Sequence, residues 1–130
     1  MKKVNPADLD GAPEEWKRPK GTYRRISRDI SGRLRGDGEH QPFEIEHITL
    51  KPGETNWPYH AHPIMWEMYH VVSGTGTVRF PDGQVAVKSG DWFVHPPGEP
   101  HNLTNTGTDD LVYYVIADEA EGDKTSILDG

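Results

Sequence analysis

The sequence predicts a single all-β domain, a sandwich or a barrel, and three observations support this prediction. The chain has 130 residues, which is the length of one domain. Its 14 glycines and 11 prolines separate short runs that are rich in β-branched and aromatic residues. No window shows the sustained 3.6-residue apolar period that an amphipathic helix requires. We therefore expect short strands joined by frequent turns.

The composition divides the chain into three parts. We expect an N-terminal arm with an edge strand at residues 1–41, a barrel at residues 42–118 and an acidic C-terminal tail at residues 119–130. In the arm, residues 13–16 (Pro-Glu-Glu-Trp) predict one helical turn, because proline suits the first helical position and acidic residues suit the first turn. Residues 22–26 predict the edge strand. The glycine-containing residues 27–41 predict a loop.

The predicted strands of the barrel cover residues 43–50, 67–72, 77–80, 84–87, 91–94 and 111–117. In the first of them the apolar positions change face, which a β-bulge near His47 would explain. A Pro-Asp-Gly turn at residues 81–83 predicts a hairpin between the third and fourth. The last strand is apolar on both faces, as expected for a strand that lies between the core and a second layer.

Four side chains of metal-binding type are spaced along the barrel. Residues two apart on a strand point to the same face, so His60 and His62 can bind one ion. Glu67 follows on the next predicted strand, and His101 follows a Pro-Pro-Gly turn. Neutral imidazoles with one carboxylate suit Fe, Mn, Ni, Cu or Zn. The sequence therefore predicts a site for one divalent transition metal.

Large side chains near these residues are candidates for a substrate pocket. Trp57 and Tyr59 directly precede the histidine pair, and Tyr69 shares the face of Glu67 on its strand. His47 is a further candidate near the metal. The alternatives are that the aromatic residues fill the core or a dimer contact, and that His47 is a half-buried strand histidine. His70 has the opposite parity to Glu67, so we do not expect it to bind the metal.

This stretch resembles the cupin superfamily, whose two motifs are usually written G-x5-H-x-H-x3,4-E-x6-G and G-x5-P-x-G-x2-H-x3-N. The second motif matches at every fixed position, which are Gly90, Pro96, Gly98, His101 and Asn105. The first matches from His60 to Gly74, but six residues rather than five separate Gly53 from His60. The resemblance implies a double-stranded β-helix, the small jelly-roll barrel of cupins, with the metal near one open end.

The resemblance also implies three functions that remain open. The first is metal-dependent chemistry of the dioxygenase type on a small molecule. The second is an enzyme like a sugar isomerase or epimerase, in which the metal polarises a carbonyl or hydroxyl group. The third is a non-catalytic module that binds a small molecule. A strong second general base would favour isomerisation, but none can be assigned from the sequence.

Charge and composition exclude several partners. A net charge of -7 argues against nucleic acid and against an anionic membrane surface. No apolar run approaches the ~20 residues of a membrane span, and no secretory signal is evident. With no cysteine, a cytoplasmic location is expected. We also expect a homodimer, because the arm's edge strand can pair with a second barrel and Trp16 can anchor the contact. The alternative is that the arm folds back on its own barrel.

Overall fold

The structure, a computed structural model, describes residues 1–118 and 121–128. These residues form eleven strands, a short helix α1 (Ile30–Leu34) and a 3-10 turn at Pro6–Asp8. The strands are β1 (Ala12–Arg18), β2 (Gly21–Asp29), β3 (Phe43–Leu50), β4 (His60–Ala61), β5 (Glu67–Ser73), β6 (Thr75–Phe80), β7 (Gly83–Lys88), β8 (Trp92–His95), β9 (Asn102–Thr104), β10 (Leu111–Asp118) and β11 (Ser126–Ile127). The all-β prediction is confirmed. Within the described ranges, no helix is long and apolar enough to cross a membrane.

The strands form three antiparallel sheets. The largest has six strands in the order β1-β2-β3-β10-β5-β8, and a second has three strands in the order β7-β6-β9. A two-stranded sheet pairs β11 with β4. The predicted hairpin is confirmed, because β6 pairs with β7 from Thr75 to Lys88 around the turn. Across the described ranges, no sheet closes on itself.

The apolar core lies between the six-stranded and the three-stranded sheet. Its buried members are Ile48, Leu50, Tyr69, Val71, Val78, Val87, Leu103, Leu111 and Tyr113. Alternate residues of each strand face this core. On β3 the inward positions are Ile48 and Leu50 at one end and Glu44 and Glu46 at the other. The inner face therefore changes from apolar to acidic along the strand, and the acidic end lies beside the predicted metal ligands.

The predicted β-bulge near His47 is wrong. Strand β3 pairs with β10 from Phe43 to Leu50 without a shift in register. The shift lies on the other side of β10, between Val112 and Tyr113, where that strand pairs with β5. The apolar residues change face on β3 for a different reason. At this end of the strand the apolar residue Phe43 lies on the outer face and is 42% exposed, because the inward positions are occupied by Glu44 and Glu46.

The predicted helical turn at residues 13–16 is also wrong, because these residues belong to β1. Glu14 and Glu15 have cross-strand partners on β2. Glu14 lies 3.0 Å from Arg25, and Glu15 lies 2.8 Å from Arg24. Acidic residues that suit a helical first turn suit this hairpin equally well, since opposite charges directly across two strands stabilise the pairing.

The arm folds back on its own barrel, which is the alternative considered above. Strand β2 is longer than predicted and lies between β1 and β3, so it is not at the edge. Trp16 packs edge-on against Trp57 of the same chain, with ring centroids 5.7 Å apart. Trp16, the expected anchor of a dimer contact, is therefore already packed against its own chain. The homodimer and the cytoplasmic location stay predictions.

Candidate metal centre

The structure brings together the four side chains of metal-binding type. One ligand atom each from His60, His62, Glu67 and His101 lies within 4.8 Å of the other three. His60 lies on β4, Glu67 begins β5, and His101 precedes β9. The backbones of His60 and His101 pair through N–H···O bonds of 3.2 and 2.8 Å. Residues 41 positions apart in the chain are thereby held side by side.

Backbone carbonyl groups orient two of the three histidine rings. Nδ1 of His60 donates to the carbonyl oxygen of Pro58 at 2.7 Å. Nδ1 of His101 donates to the carbonyl oxygen of Glu99 at 3.0 Å. A neutral imidazole carries one N–H group, so each ring keeps the lone pair on Nε2 for a metal.

The distances within the cluster fit a bound cation. Glu67 Oε1 lies 2.9 Å from His101 Nε2 and 3.3 Å from His62 Nε2. When the ring of His101 is neutral and its proton is on Nδ1, His101 Nε2 and Glu67 Oε1 are both acceptors. A proton or a metal ion therefore has to lie between these two atoms. Ligand atoms about 2.1 Å from an ion and at right angles to one another are about 3 Å apart. The residues present therefore fit a divalent metal.

Electrostatics keep the carboxylate charged. Burial alone would raise the pKa of Glu67, but the close rings of His101 and His62, which favour the charged carboxylate when they are protonated, outweigh it and hold the pKa well below its usual range. Burial also lowers the pKa of His62, but Glu67 and Asp123 outweigh that effect and raise it. The cluster thus offers one carboxylate and three imidazoles, with no thiolate, which suits Fe, Mn, Ni, Cu or Zn.

A fourth histidine, His95, supports the cluster from outside. The ring of His95 stacks on that of His101 with centroids 3.8 Å apart and an angle of 4° between the planes. Its Nδ1 lies 3.1 Å from the carboxylate of Glu99, the residue whose carbonyl group orients His101. Tyr69 packs edge-on against both rings, at 5.2 and 6.2 Å. These contacts limit the movement of His101.

The cluster opens on a cavity of about 210 Å³. Of the four predicted pocket residues, Trp57 and Tyr69 line this cavity. Tyr59 instead lies with its ring 4.0 Å from the guanidinium carbon of Arg79. His47 lies on the outer face of the six-stranded sheet, edge-on to Tyr114 at 5.3 Å. Tyr59 and His47 therefore stand away from the cavity.

Three charged cavity residues were missed by the sequence analysis. Arg25, Glu44 and Glu46 line the cavity beside the cluster. The two acidic residues share the parity of Ile48 on β3, so they would have been found without the assumed bulge. Arg25 comes from the arm, which was expected to pair elsewhere. Burial lowers its pKa, but Glu14 and Glu46 outweigh this, so it stays charged.

The comparisons with known proteins agree with this fold. A family described as Cupin domain matches residues 46–117, more than half of the chain. The chain belongs to the cupin family, and the predicted double-stranded β-helix is confirmed.

Particular relatives are similar over different shares of the chain. An oxalate-binding protein from Thermotoga maritima is 32% identical over 69 residues, which is 53% of this chain and 56% of that protein. The chain thus spans about half the length of this curated relative. A protein from Acidithiobacillus ferrooxidans assigned as a sugar phosphate isomerase is 26% identical with a TM-score of 0.71, covering 79% of this chain and 64% of that one. A cupin sugar phosphate isomerase from Silicibacter pomeroyi is 17% identical with a TM-score of 0.81, covering 99% and 83%.

We expect the metal-free protein to lose stability as the pH falls from about 7 to about 5. Burial, with His101 nearby, lowers the pKa of His60 to about 3. The same causes lower the pKa of His95 to about 4. In the unfolded chain both residues titrate near pH 6.5, so in this window the unfolded state binds more protons. The free energy of unfolding should fall by about 1–3 kcal/mol, part of which is opposed by the raised pKa of His62.

Urea unfolding of protein treated with a chelator, at each end of this pH range, measures the loss. The His95→Gln variant removes one of the two groups and should show a smaller decrease. A free energy of unfolding that stays constant across the range would contradict the burial of neutral His60 and His95.

Proposed function

We propose that this chain is a metal-dependent enzyme that acts on a small polar molecule. The observation that carries the proposal is the cluster of His60, His62, Glu67 and His101 at the wall of a cavity that also holds a carboxylate, Glu46. The cavity of about 210 Å³ is smaller than the roughly 300–1,000 Å³ of pockets for drug-sized ligands. The substrate is accordingly small.

The four side chains would hold one divalent ion per chain, which is Fe, Mn, Ni, Zn or Cu. When bound, such an ion polarises a substrate oxygen as a Lewis acid. Four protein ligands leave up to two positions of an octahedral site for the substrate. Trp57 and Tyr69 would contact the substrate from the cavity wall, and Arg25 would attract a negatively charged group on a substrate that carries one.

Glu46 is the proposed proton-transfer group. It lies opposite Val115 on β10, and Val115 lies opposite Tyr69 on β5. Two strand spacings place the backbones of Glu46 and Tyr69 about 10 Å apart. Ser27 donates to Glu46 Oε2 at 2.6 Å and thereby fixes the carboxylate, which lines the cavity.

Small side chains leave the space for that substrate. Val115 and Ala117 are the inward residues of β10, and they lie between the acidic positions of β3 and the residues Tyr69 and Glu67 of β5. Across β10 the register places Glu44 opposite Glu67 and Glu46 opposite Tyr69, so a substrate that extends from Glu67 along Tyr69 would face Glu46. A carboxylate within reach of a polarised substrate can remove a proton and return it elsewhere.

This arrangement favours proton-transfer chemistry like that of a sugar isomerase or epimerase. The similarity to the protein from Acidithiobacillus ferrooxidans, at 26% identity, supports the same class. Dioxygenase-type chemistry, the first expectation from the sequence, needs the two remaining positions of the site but has no need of Glu46. A module that only binds a small acid, as the name of the Thermotoga maritima relative indicates for that protein, is the third candidate.

We expect the Glu46→Gln variant to lose catalysis while it keeps the metal. Glutamine preserves the size of the side chain but cannot take up a proton, which should lower the rate about 10²–10⁴-fold. The measurement is the exchange of carbon-bound hydrogen in deuterated solvent, followed by NMR, against a panel of sugar phosphates and small carboxylic acids. Glu15→Gln is the matched control, because it removes the same charge on exposed β1.

The three candidates predict different outcomes. Exchange that depends on Glu46 supports proton transfer. Oxygen consumption that survives in the Glu46→Gln variant would instead establish the oxygenase. Binding of a panel member without exchange or oxygen consumption would leave the binding module.

A further inference from the structure

The C-terminal segment of residues 121–128 runs along the metal cluster. Ser126 and Ile127 pair with Ala61 and His60 as strand β11. The backbone N–H of Leu128 donates to the carbonyl oxygen of Tyr59 at 2.8 Å. The sequence predicted only an acidic tail here, and residues 119–120 and 129–130 of that tail lie outside the described residues. The described part contains a two-residue strand, Ser126–Ile127, beside a strand that carries a ligand.

Asp123 binds this segment to the cluster through both of its carboxylate oxygens. Oδ1 accepts hydrogen bonds from the backbone N–H groups of Ile64 and Met65, each at 2.9 Å. Oδ2 lies 3.0 Å from Nδ1 of His62. The side chain of Asp123 is only 7% exposed. Both oxygens therefore face donors in a defined orientation.

His62 differs from the other two histidines in how it is oriented. Backbone carbonyl groups accept from Nδ1 of His60 and of His101. For His62 the acceptor is the side chain of Asp123, from a segment 61 positions later in the chain. An acceptor at Nδ1 keeps the proton on that nitrogen. Nε2 is then free to bind the metal, and the acceptor raises the basicity of Nε2.

We propose that Asp123 is a positioning residue that sets the tautomer of His62, and that the C-terminal segment thereby controls the metal affinity of the site. The proposal rests on the proposed function to the extent that the cluster holds a metal. Thr125 supports it, because its hydroxyl group lies 3.2 Å from the same Nδ1 and the residue lines the cavity. The segment thus both orients a ligand and forms part of the cavity wall.

The variant Asp123→Asn tests the tautomer directly. The amide oxygen of asparagine must face the two backbone N–H groups, since an NH₂ group there would meet two donors. The NH₂ group then faces His62 Nδ1, which has to become an acceptor. The proton moves to Nε2, the nitrogen that the metal requires. We expect the affinity for Mn²⁺ to fall about 10–100-fold.

Asp118→Asn is the matched control. The side chain of Asp118 also accepts from a backbone N–H between β4 and β5, that of Trp66 at 2.8 Å, but among the described residues it is not a hydrogen-bond partner of His62. This control removes the same charge and should keep the affinity of the unchanged protein. Free Mn²⁺ is measured by EPR during titration of each protein after chelator treatment.

A second measurement keeps the two proposals apart. NMR of the ring nitrogens in metal-free protein at about pH 9 reports the tautomer of His62 without any metal. We expect the Nδ1–H tautomer in the unchanged protein and the Nε2–H tautomer in Asp123→Asn. An unchanged protein that binds no Mn²⁺ would contradict the proposed function alone. An Nε2–H tautomer in the unchanged protein, or unaltered Mn²⁺ affinity in Asp123→Asn, would overturn the role of Asp123.

Discussion

Replacing His101 with alanine should remove the metal almost completely. The ring is 2% exposed, its Nε2 faces Glu67 at 2.9 Å, and its Nδ1 is fixed by the carbonyl group of Glu99. Alanine offers no donor atom. We expect the metal content after dialysis to fall to less than about a tenth of that of the unchanged protein, because a lost ligand costs more than the 10–100-fold of a lost outer partner. Elemental analysis measures it.

The His70→Ala variant is the control for this experiment. His70 is also a histidine of the barrel, but it lies on the outer face of β5, stacked on Trp92 with centroids 4.0 Å apart. Its removal should leave the metal content unchanged. Circular dichroism confirms that each variant is folded. Full metal occupancy in His101→Ala, or loss of metal in folded His70→Ala, would show that the ligands are assigned wrongly.

Replacing Tyr113 with alanine should produce the largest loss of stability. Tyr113 is 0% exposed at the centre of the core. Its ring stacks on that of Tyr69 with centroids 5.5 Å apart. Truncation of a buried aromatic residue removes its apolar burial and leaves a cavity, which together cost about 3–5 kcal/mol. Urea unfolding of chelator-treated protein measures the change in the free energy of unfolding.

The neighbouring residue provides the control. Tyr114 points to the outer face of the same strand, where it is half-buried against His47. Its truncation should cost about 1 kcal/mol or less. Equal losses in Tyr113→Ala and Tyr114→Ala would mean that the two faces of β10 are assigned incorrectly. Tyr69 also packs against His95 and His101, so Tyr113→Ala should weaken metal binding too, but less than His101→Ala does.

The metal cluster could be predicted because its chemistry is encoded locally. The spacing of His60 and His62 places both on one face of a strand, and the parity of Glu67 separates it from His70. Proline and glycine mark the turn before His101. The residue types alone then indicate a divalent metal. These signals require only short stretches of sequence.

The other charged residues around the metal cluster, such as Arg25 and Asp123, could not be predicted because they come from distant segments of the chain. Arg25 reaches the cavity only because β2 pairs with β3, and Asp123 reaches His62 only because β11 pairs with β4. Long-range strand pairing leaves no periodic signal in either segment. Glu46 was different, since its parity was readable, and the assumed bulge near His47 hid it. The helical turn at residues 13–16 failed because the partners of Glu14 and Glu15 lie on the next strand.

X-ray absorption spectroscopy of the Mn²⁺-loaded protein tests the central claim most directly, that three histidines and one glutamate hold the ion. We expect one Mn²⁺ per chain, with outer-shell scattering from three imidazole rings and nearest ligands that are nitrogen and oxygen. The same spectrum of the His101→Ala variant, if any metal is retained, should show one ring fewer. A spectrum with oxygen ligands alone and no imidazole scattering would contradict the account.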